Sequence, residues 1–213
     1  IQQAMVGKAF FAFAFRLGLV QDLPILLNQH DIGVIVDNAH LGIGISVIQR
    51  DDDLKGKAVV HMADIWDFIN TVDVSDIKEA LDRQIDYNWA IAQAGIQGDY
   101  GANIGKVLLS TYGNDVKSRA RAMAAAGSDA RMNGCSLPVV IVSGSGNQGI
   151  TASVPIVVFA KELQVSEETM YRALVISNLA TIHIKEGIGR LSAYCGAVGA
   201  GCGCGAGIAY LYG

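Results

Sequence analysis

The sequence predicts a mainly α fold: a helical bundle over residues 58–213, preceded by a small β-containing region over residues 1–57. Three observations carry this reading. Helix caps recur through the second two thirds of the chain, each followed by apolar residues at helical spacing. Alternating β-branched residues are confined to residues 31–49, where they read as half-buried strands. A hydrophobic share of 51% against 17% charged residues gives a chain of 213 residues ample material for a core.

In chain order, the apolar patch Ala9 to Leu19, with Phe10, Phe11, Phe13 and Phe15, settles on no single period, so strand and helix both stay open there. Ile32, Val34 and Val36, then Ile43, Ile45 and Val47, alternate with small or polar residues. Asn38, His40 and Gly42 fall between the two runs, which makes a hairpin the expected form. Asp51, Asp52 and Asp53 mark an exposed loop. After Lys57 the pattern turns helical. Ser75 reads as an N-cap with Asp76 and Glu79 behind it, and Ile77, Leu81, Ile85, Asn88, Trp89 and Ala92 follow at helical spacing until Gly95. A second helix is expected over Asn103 to Leu109, with a break at Tyr112-Gly113. Asn114 is expected to cap an alanine-rich helix from Asp115 to Met132, and Ser166 a further one that presents Tyr171, Leu174, Val175, Asn178 and Ile182 on one face. Gly187 and Gly189 end that helix, and Arg190 opens the last segment.

Composition narrows the function classes. A formal charge of -4 with no basic stripe argues against nucleic acid as a ligand. A mean hydropathy of +0.34 is apolar enough to expect covered surface, and a homodimer is the expected assembly. Leu191 to Tyr212 is uncharged, yet six glycines and the lack of a cationic flank argue against a membrane span. Four cysteines with no leader ahead of them point to a reducing, cytoplasmic setting. The start at Ile1 and the stop at Gly213 inside a glycine-rich run read as a piece of a longer protein.

The most informative stretch is Ser143-Gly144-Ser145-Gly146-Asn147-Gln148-Gly149. It lies between the apolar strings Leu137 to Val142 and Ile150 to Ala160, both of which need burial, so it reads as a loop held within the fold. Its glycines let backbone N–H groups approach a ligand, and a helix beginning near Gln148 or Gly149 would point its positive end at a carboxylate or phosphate. Arg131 has two readings: a cation favouring the end of its own helix, or a guanidinium that faces the loop and holds a substrate carboxylate. Cys195, Cys202 and Cys204 lack the CxxC spacing of a metal knuckle, although Cys195 and Cys202 would share a helix face. The histidines at 30, 40, 61 and 183 form no ligand pair. Ser145, between two glycines, has no visible partners for a nucleophilic triad.

Three strings carry a family resemblance: SDARMNGCSLP (128–138), SGSGNQGITASVP (143–155) and RLSAYCGAVGAG (190–201). In this order they resemble the C-terminal helical domain of L-cysteine desulfidases, which are related to the alpha chain of iron-sulfur-dependent L-serine dehydratases. The resemblance extends more weakly back to about His61. It implies a lyase of amino-acid catabolism that removes sulfide or water from L-cysteine or L-serine, leaving pyruvate and ammonia. It also implies a 4Fe-4S cluster with one iron acting as Lewis acid, and Cys195 as a ligand. Residues Ser143 to Gly149, with Arg131, would then hold the amino-acid substrate, and His40 and His183 are the candidate bases. The family's other ligands lie in GCTEP-like and CDGA-like motifs that this sequence does not contain. One ligand cannot hold a cluster, so the chain alone is expected to be inactive and cluster-free. The alternative is a non-catalytic small-molecule-binding or scaffold module that keeps the glycine loop.

Overall fold

The computed structural model describes residues 36–37, 61–188 and 195–213. The expected hairpin, the phenylalanine patch, the aspartate loop, His30, His40 and the RLSAY part of the last motif lie outside the described residues, apart from Val36 and Asp37. Among the described residues the fold is mainly α: seven helices and two short strands.

Several of the helices begin where a side chain supplies an acceptor for an otherwise unpaired N–H group. Helix α1 (Met62–Thr71) buries Ile65, Phe68 and Ile69, and the Asp64 carboxylate accepts the His61 N–H at 2.8 Å. Helix α2 (Val74–Gln97) is capped by Asp73 rather than Ser75. Asp73 Oδ1 accepts both the Ser75 N–H at 2.9 Å and the Ser75 hydroxyl at 2.8 Å, so the helix starts one residue before the serine. Those Ser75 hydrogen bonds hold the Asp73 carboxyl below the usual carboxylate range. Helix α3 (Ile104–Tyr112) ends at Gly113. Helix α4 (Val116–Met132) is capped by Asp115, one residue later than the expected Asn114, with Oδ1 accepting from Lys117 and Ser118. Helix α6 (Glu167–Ile188) opens with the Ser166 hydroxyl accepting the Thr169 N–H at 3.1 Å, as expected from sequence.

Helix α5 (Gly146–Leu163) is the axis of the bundle. From Gln148 to Ala160 every residue but Thr151 is buried, which requires neighbours all round. Those neighbours are α2, α4, α6 and helix α7 (Gly196–Tyr212). Helix α7 lies along α6 through its small residues: a Cβ on Gly203 would sit 2.4 Å from the Ser177 carbonyl oxygen. The repeated glycines of the last segment therefore serve close helix packing. Among the described residues no helix is long and apolar enough to cross a membrane.

Strands β1 (Val36–Asp37) and β2 (Val139–Val140) pair antiparallel, with Val36 opposite Val140 and Asp37 opposite Val139. The other side of β2 is held by a side chain. Asn88, fully buried on α2, accepts the Val140 N–H at 2.8 Å and donates to the Val140 carbonyl at 3.1 Å, as a neighbouring strand would. Its amide also donates to Ser153 on α5 at 2.9 Å. One turn earlier on α2, Gln84 exchanges two hydrogen bonds with Asn178 of α6, at 3.0 and 2.8 Å. These buried amides fix the register of α2 against α6 and β2 where apolar packing alone would allow sliding.

Candidate functional site

Strand β2 delivers the chain to the loop. Val142 and Ser145 exchange backbone hydrogen bonds at 3.2 and 3.3 Å, closing a two-residue turn at Ser143 and Gly144. Both turn residues have positive φ, 53° and 85°, as the tight hairpin turn demands. Glycine adopts this freely, whereas Ser143 is held there by the paired residues on either side. The turn leaves Ser145 in extended geometry as the N-cap of α5, so the helix begins at Gly146, earlier than the sequence suggested.

Ser145 makes no side-chain capping bond. The first helical hydrogen bond runs from the Gly149 N–H to the Ser145 carbonyl at 3.1 Å, which leaves the N–H groups of Gly146, Asn147 and Gln148 without an acceptor inside the helix. The positive end of a helix of 18 residues thus points out of the turn. Two features border it. A Cβ on Gly146 would lie 2.2 Å from Arg131 Nε, so the guanidinium arm from the end of α4 covers the first residue of α5. A Cβ on Gly196 would lie 2.4 Å from the Gln148 carboxamide carbon, which puts the start of α7 against the first turn of α5. Cys195 is the N-cap of α7, exposed and also without a side-chain cap bond. The structure therefore brings Ser143 to Gly149, Arg131 and Cys195 into one region where two uncapped helix starts meet. His183 lies on α6 beside Ile184, whose side chain meets Gly199 one turn into α7, and its Nδ1 is buried without a hydrogen-bond partner among the described residues. Gln148 was legible only as part of the string. Its contact with Gly196 had no signal in the sequence.

Residues 32–213 match the family model described as serine dehydratase alpha chain. The chain belongs to the serine dehydratase alpha chain family. Its similarity to a UPF0597 protein of Desulfitobacterium hafniense (strain Y51) is 59% identity over 180 residues, covering 84% of this chain and 40% of the relative. A UPF0597 protein of Lachnoclostridium phytofermentans is 58% identical over 163 residues, 76% of this chain and 39% of that protein. One from Clostridium perfringens (strain ATCC 13124) is 38% identical over 211 residues, 90% of this chain and 49% of that protein. The chain thus spans roughly two fifths to one half of the length of these relatives. No solved structure matches it.

The family resemblance implies an iron-sulfur cluster, for which the cysteines would be the donors. Of the four cysteines, Cys195 and Cys202 are exposed and Cys135 and Cys204 are buried. Burial pushes the Cys204 thiol up to about 12, so it is not a reactive thiolate near neutral pH. Among the described residues no group of three or more His, Cys, Asp or Glu side chains could hold a metal. The single thiol beside the loop does not by itself fit a four-iron cluster. The exposures make a direct expectation. Native chain treated with iodoacetamide should take up label at Cys195 and Cys202 and, within the same time, none at Cys135 or Cys204. Mass spectrometry after short exposure checks this, with all four labelled in denaturant.

Proposed function

We propose that the loop Ser143 to Gly149 is the carboxylate-binding part of an amino-acid site. On this reading the protein is a lyase that eliminates water or sulfide from L-serine or L-cysteine. The single observation that carries the reading is the uncapped start of α5, whose N–H groups of Gly146, Asn147 and Gln148 have no acceptor in the helix and follow a turn of two positive-φ residues beside Arg131. Backbone donors fixed before the ligand arrives need no reorganisation, and the helix dipole adds to their pull on an anion. Ser145 and Asn147 supply side-chain donors at the rim, and Arg131 brings a positive charge to the same residue from which the helix starts. Membership of the serine dehydratase alpha chain family supports an amino acid over a phosphate as the anion. Loss of the α-proton and the β-hydroxyl or β-thiol would give an enamine, which hydrolyses through its imine to pyruvate and ammonia.

The test is Asn147→Ala in polypeptide of the relatives' full length. KM for L-serine or L-cysteine should rise about tenfold to a hundredfold, the size of one lost hydrogen bond to a charged group, about 1–3 kcal/mol. Unchanged KM and turnover would remove Asn147 from the site.

The alternative is a module that keeps the uncapped start of α5 and binds the small molecule without catalysis. A full-length protein that binds L-serine yet never releases pyruvate would decide for it.

A further inference from the structure

The α5 site presents more than donors for an anion. Two carboxamide oxygens, Asn147 Oδ1 and Gln148 Oε1, are buried there with no hydrogen-bond partner among the described residues. Gln148 is 7% exposed, and its carboxamide is wedged between the first turn of α5 and Gly196 at the start of α7. Neither oxygen turns back onto the N–H groups of its own helix. The site therefore sets unused acceptors beside unused donors. A simple anion such as phosphate or sulfate would satisfy the N–H groups and leave both oxygens desolvated and unpaired. An ammonium carries three donors and no acceptor, the complement of two carboxamide oxygens. In an α-amino acid the ammonium and the carboxylate sit on the same carbon, so one ligand can reach both sets together.

We infer that Gln148 Oε1, with Asn147 Oδ1, is the receptor for the α-ammonium of the ligand, and that this pair selects zwitterionic α-amino acids over carboxylic acids lacking the amine. The inference rests on the carboxylate site proposed above and adds a residue that chooses the substrate class. The backbone donors hold any carboxylate, whereas the two oxygens add affinity only when an amine is present. Discrimination built on buried groups left unpaired is strong, because a ligand without the amine strands the acceptors.

The experiment is equilibrium binding to the full chain of three small molecules that cannot undergo β-elimination: L-alanine, propanoate and L-alanine methyl ester. Wild-type protein should bind L-alanine about tenfold to a hundredfold more tightly than propanoate, the range for a hydrogen bond to a charged group. Gln148→Met keeps the side-chain length and removes the acceptor. It should bring the preference to within about threefold, with propanoate affinity nearly unchanged. Gln148→Glu keeps an oxygen in place and should retain the preference for L-alanine. Equal binding of L-alanine and propanoate by wild-type protein would overturn the inference while leaving the carboxylate site standing. So would a preference undiminished in a folded Gln148→Met variant. Binding of the methyl ester as tight as that of L-alanine would overturn the carboxylate site itself. Should Gln148→Met lose its cooperative thermal transition, the wild-type ratio and the Gln148→Glu ratio decide: loss of the preference in either overturns the inference, and its presence in both supports it.

Discussion

Replacing Asn88 by leucine should lower the unfolding free energy by about 3–5 kcal/mol, a large part of what holds a domain together. The side chain is fully buried on α2 and makes three hydrogen bonds, two with the backbone of Val140 and one with Ser153. Leucine keeps the branched shape but is bulkier and offers no polar atom, so it overpacks the site as well as emptying it of hydrogen bonds. The Val140 N–H would be left buried and unpaired, and the Val140 carbonyl would lose a donor. Ser153 would keep its bond to the Gly149 carbonyl at 2.7 Å, so that end of the network suffers least. Each abandoned group costs about 1–3 kcal/mol, far more than a surface hydrogen bond contributes. Urea unfolding should show a lower midpoint with an unchanged slope, since the surface exposed on unfolding barely changes. A midpoint within error of wild type would mean that β2 does not depend on α2 for its pairing. Because β2 leads directly into the Ser143-Gly144 turn, ligand affinity should also fall in this variant at concentrations where it remains folded.

Which features could be read from the sequence follows from the range of the interactions behind them. Helices α2, α3, α4 and α6 rest on caps and on apolar spacing within a few residues, and their bounds were legible to within about three residues. The errors were local as well. Ser75 read as a cap because its hydroxyl suits the role, but Asp73 engages that hydroxyl and takes the cap. Helix α5 starts before the point its sequence indicates, because a string of glycines and amides hides the turn that makes Ser145 a cap. The site itself depends on contacts between distant residues. Asn88 and Val140 are 52 positions apart, and nothing in the apolar face of α2 singles out that asparagine as the partner of a strand. The meeting of Gln148 with Gly196 joins two helix starts whose sequences show no mark of each other. The glycine string announced that backbone would come close to something. The burial of two acceptors beside the donors, which narrows that something to an amine-bearing ligand, needed the fold.

Gly149→Ala should cost about 3 kcal/mol or more of unfolding free energy. A Cβ at this position would lie 2.0 Å from the Val140 carbonyl oxygen and 3.0 Å from the Ile141 Cα. Both are backbone atoms, so no side chain can swing aside. Either α5 must lift off β2 or β2 must leave Asn88, and each movement breaks the joint that aims the helix start at the ligand. Gly205→Ala is the matching control. It sits on the exposed side of α7 with no atom within 4 Å of the added Cβ, and there alanine should raise stability by up to about 1 kcal/mol through the lower entropy of its unfolded chain. The same substitution is thus expected to have opposite signs at two helical positions, for reasons of packing alone. Thermal and urea unfolding of both variants measure this, and a Gly149→Ala variant within about 0.5 kcal/mol of wild type would contradict the close approach of α5 to β2. Gly149→Ala and Asn88→Leu both act on the Val140 carbonyl. Combined, they should cost less than their sum by at least about 1 kcal/mol, because the second substitution removes a contact the first has already broken.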